Sequence, residues 1–199
     1  MLQIENVNFF RDHHPIIQDF SLNLNASEGL LIQGPNGSGK TTLLKLIAGI
    51  LQPTSGTIKW NEKPLHQGTV TFGFISSGTQ LQTELSLYDN LLYWMTLYRK
   101  PKKEIILDAL DFFSLHHKLY HPIATLSAGE IQRLHLVKLR LISPHIWLLD
   151  EASTHLDQTS MERFEHTLLD LKKLGSIVIC VSHHPLKALE KTLIFGSSQ

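Results

Sequence analysis

The chain has 199 residues, 42% of them apolar, and its 18 basic side chains balance its 18 acidic ones. This length allows one or two domains with a sizeable core, and a neutral chain lacks the basic footprint of nucleic-acid binding, so we expect no nucleic-acid partner. No apolar run reaches the roughly eighteen residues of a membrane span, and the first residues do not resemble a signal peptide, so we expect any membrane link to come through a partner.

Strands are predicted in the first part of the chain. The stretches 2–7 and 16–24 have the residues of a small antiparallel element. The run Gly29–Gln33, reading GLLIQ, predicts a short buried strand that leads directly into Gly34. Ligands of α/β folds bind beyond the carboxyl ends of such strands. The loop that follows this strand is therefore placed where a ligand is expected.

That loop reads GPNGSGKTT and fits the phosphate-binding pattern G-x-x-x-x-G-K-[ST]. Glycines let successive backbone N–H groups point at phosphate oxygens, and the helix N-terminus that follows favours an anion. Lys40 can reach the β- and γ-phosphates, and the Thr41 hydroxyl can hold Mg²⁺. We predict a nucleoside triphosphate site formed by these loop residues: Gly34, Pro35, Asn36, Gly37, Ser38, Gly39, Lys40, Thr41 and Thr42.

The middle of the chain is predicted to be mostly helical. Two further strands are expected at 57–60 and 71–75. A helix then starts after Ser86, which is suited to be its N-cap, and runs to about residue 99. A second helix covers 102–114.

A third helix is predicted to begin at Ser127, because Ser127 and Glu130 form a capping-box pattern. Its apolar face repeats at helical spacing. That face consists of Ile131, Leu134, Val137 and Leu141.

The last part of the chain returns to alternating strands and helices. A buried strand at 145–149 ends in Asp150 and Glu151, a helix covers 160–174, and a strand at 177–181 runs into His183. Since parallel strands share their carboxyl edge, these polar residues are predicted to meet the glycine loop.

Cysteine and histidine give little further chemistry. The single cysteine, Cys180, excludes a disulfide within the chain and is interpreted as a core residue. None of the twelve histidines has the Cys-x-x-Cys company of a structural zinc site. We interpret all of them except His183 as solvated or core residues.

Four further segments identify a family. The segment 146–151, IWLLDE, has the Walker B form, and 126–130, LSAGE, resembles the LSGGQ signature of ABC-type ATPases. The segments 153–157 and 181–183 resemble the D-loop and the switch-histidine segment of those proteins. All occur in the order and approximate spacing of the family. The resemblance covers essentially the whole chain.

The resemblance implies an α/β fold of the P-loop NTPase, ABC type, with a mixed-sheet core, a small antiparallel β element and a helical subdomain. One ATP-binding domain would span 1–199. Its nucleotide-binding core would comprise 1–75 and 141–199, and 76–140 would be the helical subdomain that carries the signature.

ATP and Mg²⁺ are the ligands that the family implies. Thr41 and Asp150 would hold the metal ion, and Lys40 and His183 would neutralise phosphate charge. Glu151 would be the catalytic base that polarises the attacking water. Phosphoryl transfer needs positioning and charge neutralisation above all, which these residues would supply.

The family also implies partners. Two copies would form a head-to-tail homodimer in which the signature of one copy closes over the ATP of the other, with Asp157 in the D-loop. The signature residues are Ser127, Ala128, Gly129 and Glu130. Membrane-spanning permease subunits would contact the helical middle, and we predict that part of the segment 87–98, which carries Tyr93 and Trp94, docks a permease helix.

Three departures from the family pattern affect the site predictions. The Q-loop glutamine is expected near Gly78, whereas Gln80 lies two residues later. The aromatic residue that stacks on adenine is expected near Arg11, so Phe10, shifted by one residue, or the Arg11 guanidinium would take its place. Glu130 replaces the glutamine that ends the signature. Since Lys40, Asp150, Glu151 and His183 are all retained, hydrolysis is still predicted.

Within the family, the chain resembles the ATP-binding subunits of the haem exporters of cytochrome c maturation (CcmA). The LSAG signature, the stretch TELSLYDNL at 83–91 and Trp147 carry this similarity. It implies a peripheral location at the cytoplasmic face of the inner membrane, where ATP hydrolysis drives release of a haem-loaded chaperone. Direct haem contact is not expected. The alternatives are the ATPase of another small transporter, a low-turnover ATP-binding assembly module, or a soluble ABC protein of translation or DNA repair.

Overall fold

The computed structural model describes residues 1–67, 69–76 and 81–196. These residues form strands and α-helices joined by turns and short 3₁₀ segments. The strands are β1 (Leu2–Arg11), β2 (His14–Leu24), β3 (Gly29–Gln33), β4 (Ser55–Trp60), β5 (Lys63–Pro64), β6 (Phe72–Ser76), β7 (Ile146–Asp150), β8 (Ile177–Val181) and β9 (Lys191–Ile194). The α-helices are α1 (Lys40–Ile47), α2 (Leu87–Thr96), α3 (Lys103–Phe112), α4 (Ala128–Val137) and α5 (Gln158–Lys173).

A five-stranded parallel sheet forms the centre of the fold, in the order β6-β7-β8-β3-β9. Its three central strands are apolar and buried on both faces up to their carboxyl ends, where Gln33 and Asp150 end β3 and β7. Asp150 lies beside Val181 in the register, and Val181 lies beside Ile32. The carboxyl ends of β3, β7 and β8 therefore meet at one edge, which is the arrangement predicted from the sequence.

The second sheet is antiparallel, in the order β2-β1-β4-β5. Its first two strands are longer than predicted, because a tight turn at Asp12 and His13 continues the pairing to Arg11 and His14. Both turn residues have positive φ angles, 48° and 65°, as in the hairpin turns that match strand twist. Arg11 thus lies at the tip of a hairpin.

The two faces of the parallel sheet pack against different layers. From β7, Trp147 and Leu149 point into a core shared with α2 to α5, whereas Ile146 and Leu148 point into a core shared with α1 and the antiparallel sheet. Successive strand residues face opposite sides, so one short strand supplies both cores. The helices between β6 and β7 consequently share their core with β7, the strand that ends in Asp150.

The helix ends differ by a few residues from the predictions. Helix α2 ends at Thr96 instead of 99, and α4 ends at Val137 and continues as a 3₁₀ segment, Lys138–Arg140. Helix α5 begins earlier than predicted because Asp157 caps it. Strand β9 was not predicted. Among the residues described, no helix is both long enough and apolar enough to cross a membrane.

Candidate active site

The glycine loop joins the end of β3 to the start of α1, as the sequence predicts. Gly39 is the N-cap of α1 and has a φ angle of 101°, a left-handed conformation that glycine adopts without strain. A side chain at Gly39 would also lie 3.0 Å from the Ile16 side chain. The loop therefore depends on glycine both for its backbone conformation and for its close packing on β2.

Lys40 is buried beneath this loop. Its Nζ donates hydrogen bonds to the backbone carbonyls of Gly34, at 2.8 Å, and of Pro35, at 2.7 Å. Only 7% of the residue is exposed. A cation held at this point lies under the loop whose backbone N–H groups would surround phosphate oxygens.

Thr41 and Asp150 meet across the parallel-sheet edge. The Thr41 hydroxyl donates a hydrogen bond of 2.8 Å to Oδ2 of Asp150. Burial raises the pKa of Asp150, the hydrogen bond from Thr41 partly offsets that effect, and the Glu151 carboxylate raises it further. A hydroxyl and a carboxylate are the oxygen ligands that Mg²⁺ takes in nucleotide sites, so the donor set fits this ion.

Glu151 is held from two sides at the end of β7. Its Oε1 lies 3.3 Å from Nε2 of His183, and its Oε2 accepts a hydrogen bond of 3.1 Å from the Thr154 hydroxyl. The backbone of Glu151 has a φ angle of 57°, an uncommon conformation for a residue with a side chain. This bend ends the strand and lets the carboxylate line the cleft described below.

A buried pair of hydroxyls fixes the loop that carries His183. Ser153 and Ser182 lie 2.8 Å apart through their Oγ atoms, and Ser182 Oγ also accepts from the His184 backbone N–H at 3.0 Å. The loop after Glu151 is thereby joined to the loop of His183. The sequence offered no signal for this pairing beyond the presence of a serine in each segment.

These elements surround an open cleft of about 410 Å³. It is lined by Arg11, Ile16, Asn36, Gly37, Gly39, Lys40, Thr41, Thr42, Asp150 and Glu151. Of the two residues predicted to stack on adenine, Arg11 lines the cleft and Phe10 does not. Phe10 is 41% exposed. The predicted Q-loop residue Gln80 lies outside the described residues.

The signature segment forms the N-terminus of α4. Ser127 and Glu130 make the complete capping box: the Glu130 backbone N–H donates to Ser127 Oγ at 3.3 Å, and the Ser127 backbone N–H donates to Glu130 Oε2 at 2.8 Å. The latter bond lowers the pKa of Glu130. Ala128 and Gly129 are exposed, and a Cβ added to Gly129 would meet no atom within 4 Å. This helix start presents its N–H groups to the outside of the chain and not to its own cleft.

Helix α4 is also tied to the loop beyond Glu151. Gln132 Nε2 donates a hydrogen bond of 2.8 Å to the carbonyl of Ala152, and Arg133 lies 3.9 Å from the Asp157 carboxylate. Asp157 itself caps α5 through a bond of 2.7 Å from the Ser160 backbone N–H, which lowers the pKa of Asp157. Gln132 was not predicted as a site residue, since its partner is a backbone atom twenty residues away.

Comparison with known proteins agrees with this geometry. The family described as ABC transporter matches residues 17–154, which is more than half of the chain. The chain belongs to the ABC transporter family. It is an ATP-binding cassette and an ATP hydrolase, and the predicted fold class and enzyme class are confirmed.

Individual relatives support the same assignment for this cassette. The cytochrome c biogenesis ATP-binding export protein CcmA of Pseudomonas putida KT2440 is 34% identical over 190 residues, which cover 94% of this chain and 90% of that protein. An ABC transporter ATP-binding protein of known structure from Pyrococcus furiosus has a TM-score of 0.87 at 28% identity, over 98% of this chain and 96% of its own.

A third comparison concerns the fold of the cassette alone. The ATP-binding cassette MJ0796, solved as a dimer in a post-hydrolysis state with ADP and Pi, has a TM-score of 0.84 at 23% identity. The matched region covers 98% of this chain and 94% of the MJ0796 chain. The resemblance to the CcmA proteins predicted from the sequence is confirmed by the similarity over 94% of this chain. The match to the ABC transporter family supports ATP as the ligand of the cassette.

Proposed function

We propose that the chain is the ATPase subunit of a haem exporter of c-type cytochrome biogenesis. The observation that carries this proposal is the similarity to the export protein CcmA over almost the whole of both chains. It is supported by a cleft lined by Lys40, Thr41, Asp150 and Glu151, with His183 3.3 Å from the Glu151 carboxylate. The subunit would lie at the cytoplasmic face of the inner membrane against permease subunits. ATP hydrolysis would drive release of a haem-loaded chaperone.

The residues of the cleft divide the work of phosphoryl transfer. Lys40 would exchange its loop carbonyls for phosphate oxygens of ATP. Thr41 and Asp150 would hold Mg²⁺, which neutralises phosphate charge when bound. Glu151 would orient the attacking water and accept its proton. His183, whose Nε2 lies 3.3 Å from the Glu151 carboxylate, would hold that carboxylate in place.

The second half of the site would come from another copy of the chain. Ser127, Ala128 and Gly129 are exposed, and Gly129 has open space around it. A helix N-terminus presented in this way favours an anion, here the γ-phosphate held by the partner. The dimeric form of the similar cassette MJ0796 supports this arrangement. A symmetric homodimer would contain two equivalent ATP sites.

We further infer one domain in which the helices between β6 and β7 act as a subdomain that moves on ATP binding. Their connection to the catalytic edge through Gln132 supports this role. Within the segment 87–98, Trp94 is only 9% exposed, with the Lys138 ammonium 5.6 Å from its ring centroid, so this residue packs in the core and offers little surface for docking. Tyr93 is 59% exposed, and its contact with a permease stays a prediction.

The proposal is tested by the variant Glu151→Gln in the source cell, with haem-stained c-type cytochromes as the readout. Loss of covalent haem with normal expression of the variant is the expected result. Glu162→Gln is the matched control, because Glu162 is exposed on α5 away from the cleft. Cytochromes that stay normal in Glu151→Gln cells, while the purified variant has lost ATPase activity, would assign the cassette to another transporter. A wild-type protein without measurable turnover would indicate an assembly module instead.

A further inference from the structure

The connection between α2 and α3 concentrates positive charge. Four of the five residues 99–103, which complete this connection and begin α3, are cationic, and we call this segment the basic loop. All four cations are exposed: Arg99, Lys100, Lys102 and Lys103. The chain as a whole carries no net charge, so this density of cations is a local feature.

Among the described residues, the cations of the basic loop have no acidic partner, whereas about half of the other lysines and arginines have one. Elsewhere Lys59 lies 2.7 Å from Glu5, Lys191 lies 2.7 Å from Glu28, and Lys118 lies 3.7 Å from Glu130. Within the described part of the chain, no carboxylate lies within 4.0 Å of a cation of the basic loop. Their charge is therefore available to an external anion.

Exposed apolar side chains lie directly beside these charges. Tyr93 is 59% exposed and Leu97 is 63% exposed, one helical turn apart at the end of α2. Tyr98 is 42% exposed, and its ring packs on the Trp94 ring at a centroid distance of 4.8 Å. This end of α2 thus has an apolar surface next to a cationic one.

We propose that the basic loop and the exposed residues at the end of α2 bind the surface of an anionic phospholipid bilayer. Lysine and arginine are attracted to anionic headgroups, while tyrosine and leucine fit the boundary between headgroups and acyl chains. An acidic protein segment would satisfy the cations but would not account for three exposed apolar side chains beside them. The combination of both surfaces favours the bilayer.

The position of the basic loop leaves the nucleotide cleft free. Tyr98 and Arg99 lie beside Thr71, the residue before β6, and Pro144, two residues before β7. This is the amino edge of the parallel sheet, whereas the cleft lies at its carboxyl edge. A cassette bound to lipid in this way can still exchange ATP, so the proposal does not depend on which molecule is transported.

The test is vesicle flotation of the full chain with phosphatidylcholine vesicles and with vesicles in which part of that lipid is replaced by phosphatidylglycerol. The double variant Lys100→Gln/Lys102→Gln removes two cations of the basic loop. The matched control is Lys63→Gln/Lys187→Gln, which removes two exposed lysines elsewhere. We expect the wild type to bind the anionic vesicles, with an affinity that weakens as salt is raised. Each removed cation should lower the affinity about fivefold, so Lys100→Gln/Lys102→Gln should lose roughly 25-fold. Binding of the control variant should change little.

A second variant tests the apolar part. Leu97→Ser should weaken binding to anionic vesicles without altering the fold, because Leu97 is mostly exposed. Equal binding to neutral and anionic vesicles, or equal losses in the two double variants, would overturn the proposal. So would an absence of vesicle binding combined with loss of permease association in Lys100→Gln/Lys102→Gln, which would identify an acidic protein partner. ATPase activity of the same preparations reports on the proposed function separately.

Discussion

Gln132 and Ala152 join the signature helix to the catalytic edge: the Gln132 side-chain amide donates a hydrogen bond of 2.8 Å to the Ala152 carbonyl. Ala152 directly follows Glu151, and Gln132 lies two residues after Glu130. A shift of α4 is therefore transmitted by one bond to the backbone beside the catalytic base.

We expect Gln132→Leu to lower kcat by up to about tenfold while the KM for ATP changes little, because a lost hydrogen bond of this kind is worth about 1 kcal/mol. Steady-state ATPase kinetics give both values. Gln158→Leu is the control, since the Gln158 side chain bonds the exposed Glu162 on the same helix. A raised KM with unchanged kcat would assign Gln132 to nucleotide binding instead of positioning.

Lys40→Ala is expected to weaken ATP binding by about a hundredfold or more, because it removes the buried cation that would pair with phosphate oxygens beneath the glycine loop. Calorimetric titration with ATP measures the loss. Lys63→Ala, at an exposed position in β5, should bind as the wild type does. An unchanged affinity in Lys40→Ala would refute the assignment of the phosphate loop.

Ser86 and Ser127 are helix caps of the same type, so comparing their variants distinguishes an effect on stability from an effect on catalysis. Ser86 caps α2 by accepting the Asp89 backbone N–H at 3.0 Å, as Ser127 caps α4. Replacing either serine by alanine should lower the free energy of unfolding by about 1 kcal/mol in urea titrations. ATPase activity should fall sharply in Ser127→Ala alone, because only Ser127 is proposed to reach the partner's ATP. Equal activities in the two variants would contradict a role of the signature in trans.

His135 should make the chain sensitive to acid. Burial, with a contribution from the Lys138 charge, lowers the pKa of His135 from 6.5 to about 4. A lowered pKa means that the unfolded state takes up the proton first, so this contribution to stability is complete above pH 6.5 and is lost as the pH falls towards 4. We expect a loss of about 3 kcal/mol across that window.

The comparison that checks this is urea unfolding of the wild type and of His135→Leu at both ends of the pH window. On acidification, the free energy of unfolding of His135→Leu should fall by about 3 kcal/mol less than that of the wild type. His121→Gln, at an exposed position, serves as the control for general effects of acid. Parallel loss in wild type and His135→Leu would show that other groups govern acid unfolding.

Local patterns predicted the parts of the site that depend on neighbouring residues. The glycine loop, the buried strands before Asp150 and His183 and the cap at Ser127 all have their causes within a few residues. The bonds from Gln132 to Ala152 and from Ser153 to Ser182 were not predictable, because the sheet register brings these segments together.

Two further misses also have physical reasons. A register shift in β1 between Phe9 and Phe10 interrupts the regular alternation of the strand, so spacing alone could not show whether Phe10 or Arg11 lines the cleft. Strand β9 has only four residues at the edge of the sheet, and its alternating exposure gives it no continuous apolar run. Its place is determined by parallel pairing with β3, which the sequence does not display.

The hydrogen bonds of Lys40 affect how ADP and phosphate leave the site. The ammonium group donates hydrogen bonds to two carbonyls of its own loop. Arrival of ATP is therefore an exchange of oxygen partners, and the net affinity is the difference between two sets of bonds. When the products leave, the same carbonyls can recapture the lysine, so the loop competes with ADP and phosphate for their main cation and favours their departure.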